Sequence, residues 1–554
     1  SRTEENLNNL LTAFIHLMVV PTYLLLLPSA VHSKLPFNKI NNIISRRWTL
    51  FCETSKAPHP FLSINKVDYF NKRFISSSTK KPVDLQKLAL QHLKDGHVSK
   101  AFEALNRSPP PSEPSLNEKR DILLSLHPQN PPSITPLDHP STLPSSDEDS
   151  CSWKIDSKEI EMQLNKVRLK GTSPGPDAIS AHNLFAILNS NSDNNARTLK
   201  EFTTMINHLL NPSIPQSLWE TLTMARLYSI TKSDGISQRP IANGILFRKL
   251  ICSIAVNKFR SKINNALSPF QLGISRPNGT EIIANTFDKI YNSNPSHWII
   301  KLDFKNAFYT FSRKQAIREL VQEIPEMKNL ANFIYGHNGI LLVDSDFSIP
   351  SVHGAQQGCP LGPVLFCFCL RPILNKIKEK FPMSIMRSYI DDTTIAIDAP
   401  EQRTLSLVQE FQTLAELAQL EINIHKSSIV PPLDSMTTVF ESLGYDIIPR
   451  NSNSGIDILG FPIGSNHYKS TFFLESVEQY KSAMEKVRKL DHSQSKWTLF
   501  NYVLQAKMTH LFRYLPPQIL ENHCNPLEEA DNSLIKDIFL PPFLPSIQWS
   551  SLNP

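Results

Sequence analysis

Two adjacent acids in an apolar setting, Asp391 and Asp392, constrain this chain more than any other feature of its sequence. They stand between two short β-favouring runs, residues 384–386 and 394–397. Such runs, separated by a polar break, predict a β-hairpin that carries both carboxylates near its tip. Burying adjacent acids between apolar strands costs free energy unless a cation compensates them, and a divalent metal ion is the simplest compensator.

A third acid, Asp303, ends a β-rich run at residues 297–303, far upstream of the pair. A carboxylate at the end of a buried strand is held rigidly and can still reach an open cleft. Mg²⁺ prefers one or two carboxylates together with substrate phosphate oxygens, and two such ions support an in-line displacement at phosphorus. An Asp-Asp dipeptide alone is also compatible with a solvated turn, so the metal-site hypothesis depends on the segments around it.

Composition and charge bound the possibilities less sharply. A chain of 554 residues has room for about two to four domains. Its net charge of +6 is compatible with nucleic-acid binding and with many ordinary enzymes. The seven cysteines form no CxxC pair and no zinc-like array with histidine, which indicates reduced thiols of an intracellular protein, nuclear or cytoplasmic.

The N-terminal third carries little legible chemistry. The first residue is serine, as in a fragment or a processed chain. We expect residues 1–82 to be poorly ordered around an apolar stretch at residues 10–31, which is about long enough to cross a bilayer. Pro21 and Pro28 interrupt this stretch and no basic region precedes it. We therefore favour a buried helix, or translated sequence upstream of the true start, over a membrane or signal segment.

Residues 83–107 carry apolar residues at helical spacing on both sides of Asp95-Gly96, which predicts a small helical hairpin. Prolines recur through residues 108–150, and we interpret that segment as a linker. The composition of a folded domain begins at Trp153.

Two further segments have the residue types of a phosphate or nucleotide site. Lys232 and Arg239 lie on the two arms of a probable hairpin and could hold a triphosphate, although ordinary surface cations have the same pattern. Glycines at 354, 358 and 362 let the backbone approach a ligand closely. An apolar helix is predicted to follow them, over residues 364–381.

The order of these segments resembles the reverse transcriptases of non-LTR retrotransposons, which are related to group II intron enzymes. The matches run from about residue 171 to 464 and more weakly to about 517. They are Pro174-Gly-Pro-Asp177, Lys232 with Arg239-Pro-Ile241, Gln271-Leu-Gly273, Leu302 to Phe308, residues 354–363, Tyr389-Ile-Asp-Asp392, Asn423 with Lys426, and Leu459-Gly460 with Gly464.

The resemblance implies an α+β right-hand polymerase. Its fingers and the start of the palm would occupy residues 151–290, the ferredoxin-like palm residues 291–466, and a helical thumb residues 467–554. The catalytic core as a whole would span about residues 171–466. The expected partners are an RNA template, a DNA primer and deoxynucleotides.

The resemblance also implies roles for individual residues. Asp303 and Asp391 would be the primary ligands of Mg²⁺, with Mn²⁺ as an alternative, and Asp392 would be secondary because neighbouring strand residues point to opposite faces. The remaining roles follow position by position: Lys232 and Arg239 on the triphosphate, Gln357, Gly358 and Tyr389 at the nucleotide and template site, Phe308 as the steric gate against a 2′-hydroxyl, and Lys426 as a candidate acid for the leaving pyrophosphate.

This sequence departs from the family pattern at two points. Position 390 is Ile where most non-LTR enzymes have Ala, and we expect little effect from this apolar spacer. The glycine usually found before the Asn-x-x-Lys motif is absent at Leu420-Glu-Ile-Asn423. Two other functions stay open: a palm polymerase that makes RNA, and a non-catalytic nucleic-acid-binding remnant of a decayed retroelement.

Overall fold

The structure is a computed structural model that describes residues 84–106, 116–127, 153–169, 175–176, 179–188, 195–210, 222–231, 238–274, 276–344, 347–435 and 437–539. The apolar stretch 10–31 and Lys232 therefore lie outside the described residues. In the described part of the chain, no helix combines the length and the apolar character that crossing a membrane requires.

Helices dominate both ends of the described chain, and strands are concentrated in its middle. The helices are Leu85–Lys94, Val98–Asn106, Leu116–Leu126, Ser157–Leu169, Ala181–Leu188, Asn195–Leu209, Leu246–Lys258, Arg260–Leu267, Gly279–Ser293, Ala307–Thr310, Arg313–Glu323, Lys328–Tyr335, Gly362–Lys380, Glu401–Leu417, Val439–Ser442, Asn466–Arg488, Ser493–Leu499, Gln505–Tyr514, Pro517–His523 and Asn525–Phe539. Short 3₁₀ turns lie at Pro325–Met327 and Ile424–Lys426, and a π-helical turn lies at Phe500–Leu504.

The strands, numbered in chain order, are β1 Ala225–Thr231, β2 Gln238–Gly244, β3 Trp298–Leu302, β4 Phe304–Lys305, β5 Gly339–Leu342, β6 Ser348–Ser351, β7 Ile385–Tyr389, β8 Asp392–Ile397, β9 Glu421–Ile422, β10 Ser428–Val430, β11 Asp446–Ile447, β12 Gly455–Ile458 and β13 Phe461–Gly464. The α+β prediction is thereby confirmed.

A five-stranded sheet of order β11-β10-β3-β8-β7, called the palm sheet below, lies within residues 291–466, the predicted palm. Its central pairings, β10-β3, β3-β8 and β8-β7, are all antiparallel. Successive strand residues face opposite sides, so Ile300 packs into the core that includes Phe366 of helix Gly362–Lys380. Its neighbour Ile299 packs with Phe287 of helix Gly279–Ser293 on the other face. Because helices cover both faces, this sheet is the rigid base from which the acids project.

A second sheet, of order β2-β1-β5-β6, joins strands β1 and β2 of the predicted fingers to strands β5 and β6, which lie within the predicted palm range. Strands β1 and β2 form the antiparallel hairpin that the sequence predicted, with Ile230 opposite Arg239. Strand β1 pairs in parallel with β5.

The segment predicted as a linker, residues 108–150, contains helix Leu116–Leu126, which covers this second sheet. Buried Leu123 packs against Leu227 and Ile349. The guanidinium of Arg120 donates two hydrogen bonds of 2.8 Å to Asp344. The linker interpretation is therefore wrong for residues 116–127. Proline density misled it, because the prolines flank this helix and none lies inside it.

The C-terminal helices, from Asn466 to Phe539, pack around their own apolar core, which includes Phe473, Val477 and Leu534. Helices Leu85–Lys94 and Val98–Asn106, which coincide with the predicted helical hairpin, contribute Ala89, Ala101 and Phe102 to the same core. The hairpin is therefore packed against the helices of the predicted thumb. Periodicity alone could not reveal this partner.

Truncating Phe102 should loosen the thumb. We expect Phe102→Ala to destabilise this region by about 3 kcal/mol, because a buried aromatic ring is lost and a cavity remains. Hydrogen exchange of the amides between residues 466 and 539 measures the effect. Met162→Ala removes a side chain that is 56% exposed in another part of the chain and should leave the same amides unchanged.

Candidate functional site

The acidic pair lies at the tip of the β7-β8 hairpin, as the sequence predicted. The register pairs Tyr389 with Asp392, so Ile390 and Asp391 form a two-residue turn. Asp391 and Asp392 are half-buried. Ile390 adopts a left-handed backbone conformation with φ of 58°. Tight two-residue turns between antiparallel strands require positive φ, and here a β-branched residue supplies it.

Asp303 reaches the same edge of the palm sheet, because β3 pairs with β8 and its last residue, Leu302, lies opposite Thr393. Asn423 holds Asp303 in place through two hydrogen bonds. Its side-chain amide donates to Asp303 Oδ2 at 3.2 Å, and its backbone N–H donates to the Asp303 carbonyl oxygen at 2.8 Å. The Asp303 N–H donates to Ser427 Oγ at 3.1 Å. Asp303 is thus held by Asn423 and Ser427. The sequence predicted no role for either residue.

Burial and neighbouring carboxylates raise the pKa of both Asp391 and Asp392. Burial raises the pKa of Asp391, and the charge of Asp303 adds to this, while Arg239 opposes it. Burial raises the pKa of Asp392 to about 6, with further contributions from Asp391 and Asp303 that Lys301 partly offsets. Like charges in a partly desolvated cleft disfavour the fully ionised state.

In the described part of the chain, no group of three or more His, Cys, Asp or Glu side chains is arranged so as to hold a metal ion. The donor set of the acidic edge nevertheless fits a hard divalent cation. Its ligands would be carboxylate oxygens, which Mg²⁺ prefers. Their partial burial and mutual repulsion leave negative charge that a cation would neutralise.

The Gln357-Gly358 loop packs directly on β2, close to Arg239. The Ala242 N–H donates to the carbonyl oxygen of Gln357 at 2.8 Å. A Cβ atom on Gly358 would lie 2.5 Å from the Ala242 carbonyl oxygen, and the φ of Gly358 is 122°. Only glycine allows this approach, so the loop and the fingers hairpin form one wall.

Tyr309 joins this wall to the palm, and sequence reasoning did not find it. Its hydroxyl donates to the Pro240 carbonyl oxygen and contacts Gln357 Oε1. Burial raises the pKa of Tyr309, and the charge of Arg239 opposes that shift. The ring of His127, at the end of the helix that covers the fingers sheet, lies 4.7 Å from the Tyr309 ring, centroid to centroid. No local signal marks either residue.

Two buried arginines support the loop from behind. Arg248 donates to Gln356 Oε1 at 2.5 Å and to the Thr223 carbonyl oxygen at 2.9 Å. Arg313 donates to the carbonyl oxygens of Gly354 and Ser351, both at 2.6 Å. Burial lowers the pKa of Arg313 to about 10. Charge-assisted bonds of this kind fix loop geometry more firmly than neutral ones.

Phe308 lies half-buried beside the loop that carries Gln357. Its ring stacks on Phe366, with centroids 5.6 Å apart, and the backbone carbonyl of Phe308 accepts from the Ala355 N–H at 2.6 Å. Arg239 is exposed and acts electrostatically on both Asp391 and Tyr309. Lys426 is exposed at the end of a 3₁₀ turn that begins directly after Asn423. The roles proposed for these side chains stay predictions.

Comparison with known proteins agrees with this arrangement. Residues 230–463 match the family model described as "Reverse transcriptase (RNA-dependent DNA polymerase)". This part of the chain is similar in sequence to reverse transcriptases. The match includes β2, the Gln357 loop, all three aspartates and strand β12, so the family prediction is confirmed.

A retroelement relative supports the same family. The "Retrotransposable element SLACS 132 kDa protein" of Trypanosoma brucei gambiense is 22% identical over 258 residues, which is 45% of this chain and 21% of the relative. The chain thus spans about a fifth of the length of this curated relative.

Two telomerase structures also align with part of this chain. One is telomerase from Candida albicans with a fragment of telomeric RNA, at 11% identity and a TM-score of 0.34, over 58% of this chain and 61% of that one. The other is apo telomerase from Candida tropicalis, at 10% identity and a TM-score of 0.33, over 57% and 61%.

The close approach at Gly358 can be tested against a glycine in open space. We expect Gly358→Ala to lower the temperature of unfolding clearly more than Gly96→Ala. Both positions have positive φ, which costs an alanine about 1 kcal/mol, but a Cβ atom at Gly96 meets no atom within 4 Å. Calorimetry of both variants measures the difference, and equal destabilisation would contradict the predicted contact with β2.

Proposed function

We propose that this chain is an RNA-directed DNA polymerase of a retroelement, which extends a primer 3′-hydroxyl with deoxynucleotides on an RNA template. One observation supports the proposal above the others: Asp303, Asp391 and Asp392 lie at one edge of the palm sheet and interact electrostatically, within the residues that match the reverse transcriptase family model. Phosphoryl transfer needs positioning and charge neutralisation more than a nucleophilic side chain, and a carboxylate cluster beside cationic fingers provides both.

The three aspartates are the proposed ligands of divalent metal ions, with Asp303 and Asp391 as the primary ones. When bound, such ions would stabilise the charge on the attacking and leaving oxygens; we propose Mg²⁺, with Mn²⁺ as an alternative. The chain's own contribution is to hold the carboxylates in place. Asn423 and Ser427 fix the Asp303 backbone and one of its oxygens, and the β7-β8 hairpin holds the other two acids.

The incoming deoxynucleotide would lie between the acids and the fingers wall. Arg239, exposed and electrostatically coupled to Asp391, is the proposed contact for the triphosphate together with Lys232. Gln357, Gly358 and Tyr389 would line the nucleotide and template site. Phe308 would lie under the sugar, because it is half-buried and braced by Phe366 beside the loop.

Two further elements complete the proposal. The helices from Asn466 to Phe539 would grip the template-primer duplex through its backbone without reading sequence. Lys426 is the proposed acid for the leaving pyrophosphate, supported by its exposed position next to the segment that holds Asp303.

Primer extension tests the proposed activity. The full chain should extend oligo(dT) on poly(rA) with Mg²⁺ and dTTP, and the Asp391→Ala, Asp392→Ala double variant should show no extension above background. Asp398→Ala is the matched control, because this exposed acid follows the opposite end of β8. We expect the control to keep its activity.

Each alternative function has its own outcome in this assay. No extension by folded wild-type protein that binds the duplex would favour the non-catalytic remnant. Extension with ribonucleotides in place of deoxynucleotides would favour a polymerase that makes RNA. Extension by the double variant would separate the activity from the acidic edge and overturn the assignment of the site.

The steric-gate role of Phe308 predicts a change in sugar selection. We expect Phe308→Ala to raise incorporation of ribonucleotides relative to deoxynucleotides by at least about tenfold, because the ring no longer blocks the 2′-hydroxyl. Phe304→Ala is the control. The buried Phe304 ring also packs near Phe366, with ring centroids 6.1 Å apart, but it belongs to the core. It should lower stability without changing sugar selection. Unchanged discrimination by Phe308→Ala would contradict the gate.

A further inference from the structure

The turn that presents the acidic pair is strained at Ile390. Its φ of 58° is in the left-handed region, which L-residues avoid because Cβ approaches the carbonyl oxygen. A β-branched side chain makes this conformation still less favourable. Such strain persists only where the surroundings over-determine it. Asp391 follows directly, so whatever holds Ile390 also orients the backbone of Asp391.

One side chain, that of Gln271, binds the backbone of Ile390 from both sides. Gln271 Oε1 accepts the Ile390 N–H at 2.7 Å, and Gln271 Nε2 donates to the Ile390 carbonyl oxygen at 3.0 Å. The same Oε1 accepts the Gly273 N–H at 3.0 Å. Gln271 is 3% exposed. This buried amide therefore satisfies backbone groups that a two-residue turn otherwise leaves to water.

The segment that carries Gln271 is itself fixed to the hairpin. It runs parallel to β7: the Ser388 N–H donates to the Phe270 carbonyl oxygen and the Leu272 N–H donates to the Ser388 carbonyl oxygen, both at 2.8 Å. Gly273 then lies against the turn, where a Cβ atom would be 2.6 Å from the Ile390 nitrogen. The clamp is thus anchored to the same strand whose end it restrains.

We propose that Gln271 is a positioning residue for the catalytic carboxylates: its amide clamps the strained Ile390 turn and thereby fixes the direction in which Asp391 projects. This inference rests on the proposed polymerase function. The left-handed conformation at position 390 is less favourable for isoleucine than it would be for alanine, because isoleucine is β-branched. Position 390 is therefore not the indifferent spacer that we expected from the sequence.

The structure suggests a substitution that relieves the need for the clamp. Glycine adopts the left-handed conformation without a steric penalty, so a turn with glycine at position 390 holds its shape with less help. Gln271→Met removes the hydrogen bonds but nearly keeps the volume of the buried side chain, which avoids a large cavity. The two changes together form a double-mutant cycle.

The cycle compares wild type, Gln271→Met, Ile390→Gly and the double variant in primer extension, with kcat, KM for dTTP, the dependence on Mg²⁺ concentration and the temperature of unfolding measured for each. We expect Gln271→Met to lower kcat at least about tenfold and to raise the Mg²⁺ requirement, because a displaced Asp391 misplaces the reacting groups. In the Ile390→Gly background, the same change should lower kcat less than about threefold.

Gln315→Met is the matched control, because this buried glutamine donates to the Cys369 carbonyl oxygen in the core at 3.1 Å. It should lower the temperature of unfolding without changing the Mg²⁺ requirement. Equal effects of Gln271→Met in the Ile390 and Ile390→Gly backgrounds, in both kcat and unfolding temperature, would overturn the clamp.

The test separates the clamp from the proposed function. If folded wild-type protein shows no extension, the polymerase proposal fails, but the temperatures of unfolding still test the clamp. A smaller decrease in unfolding temperature for Gln271→Met in the Ile390→Gly background than in wild type supports the clamp. An equal decrease overturns it. If wild type extends the primer but Gln271→Met leaves kcat and the Mg²⁺ requirement unchanged, the positioning role fails while the polymerase function stands.

Discussion

Like-charge repulsion among Asp303, Asp391 and Asp392 is the interaction that the rest of the site has to balance. Partial burial strengthens it, because a desolvated carboxylate is screened less by water. The fold opposes it with a rigid sheet that holds the acids together, and with Arg239 and Lys301, which favour the charged forms of Asp391 and Asp392 respectively. Such an arrangement stabilises a bound cation at the expense of the empty protein.

The rigidity comes from packing on both faces of the palm sheet. Ile300 and Ile395 join the core under helix Gly362–Lys380, while Ile299 and Ala396 join the core beside the β12-β13 hairpin. Adjacent residues of one strand therefore connect the acidic edge to two separate cores. A shift of the acids would disturb both, and close-packed interiors resist such shifts.

The helical segment at residues 116–127 and the glycine-containing loop at residues 354–362 are held near the site by specific contacts. Helix Leu116–Leu126, in a proline-rich stretch, reaches Tyr309 through His127. The Gln357 loop, with its glycines, is held by Arg248 and Arg313 from behind and by β2 in front. The wall formed by the Gln357 loop and β2 is thus held by contacts from segments that are far apart in the sequence.

The sequence by itself determined the local elements and the chemistry. Two β-favouring runs on either side of Asp391 and Asp392 specified the β7-β8 hairpin, and the pattern over residues 364–381 specified a helix seen at Gly362–Lys380. The ordered motifs specified the family. These signals are local, because strand and helix periodicity is read within a few residues.

Only the tertiary structure decided which distant groups meet. Asp303 lies beside the acidic pair because of the β3-β8 register, and Gln271 reaches Ile390 across 119 residues of chain. The helix that contains Leu123 and the thumb contact of Phe102 depend on partners far away in the sequence. The strained backbone conformation of Ile390 could not be predicted from the sequence either. The φ angle of a turn residue is set by the strands on either side and by the groups that bind it, and residue type alone indicates neither.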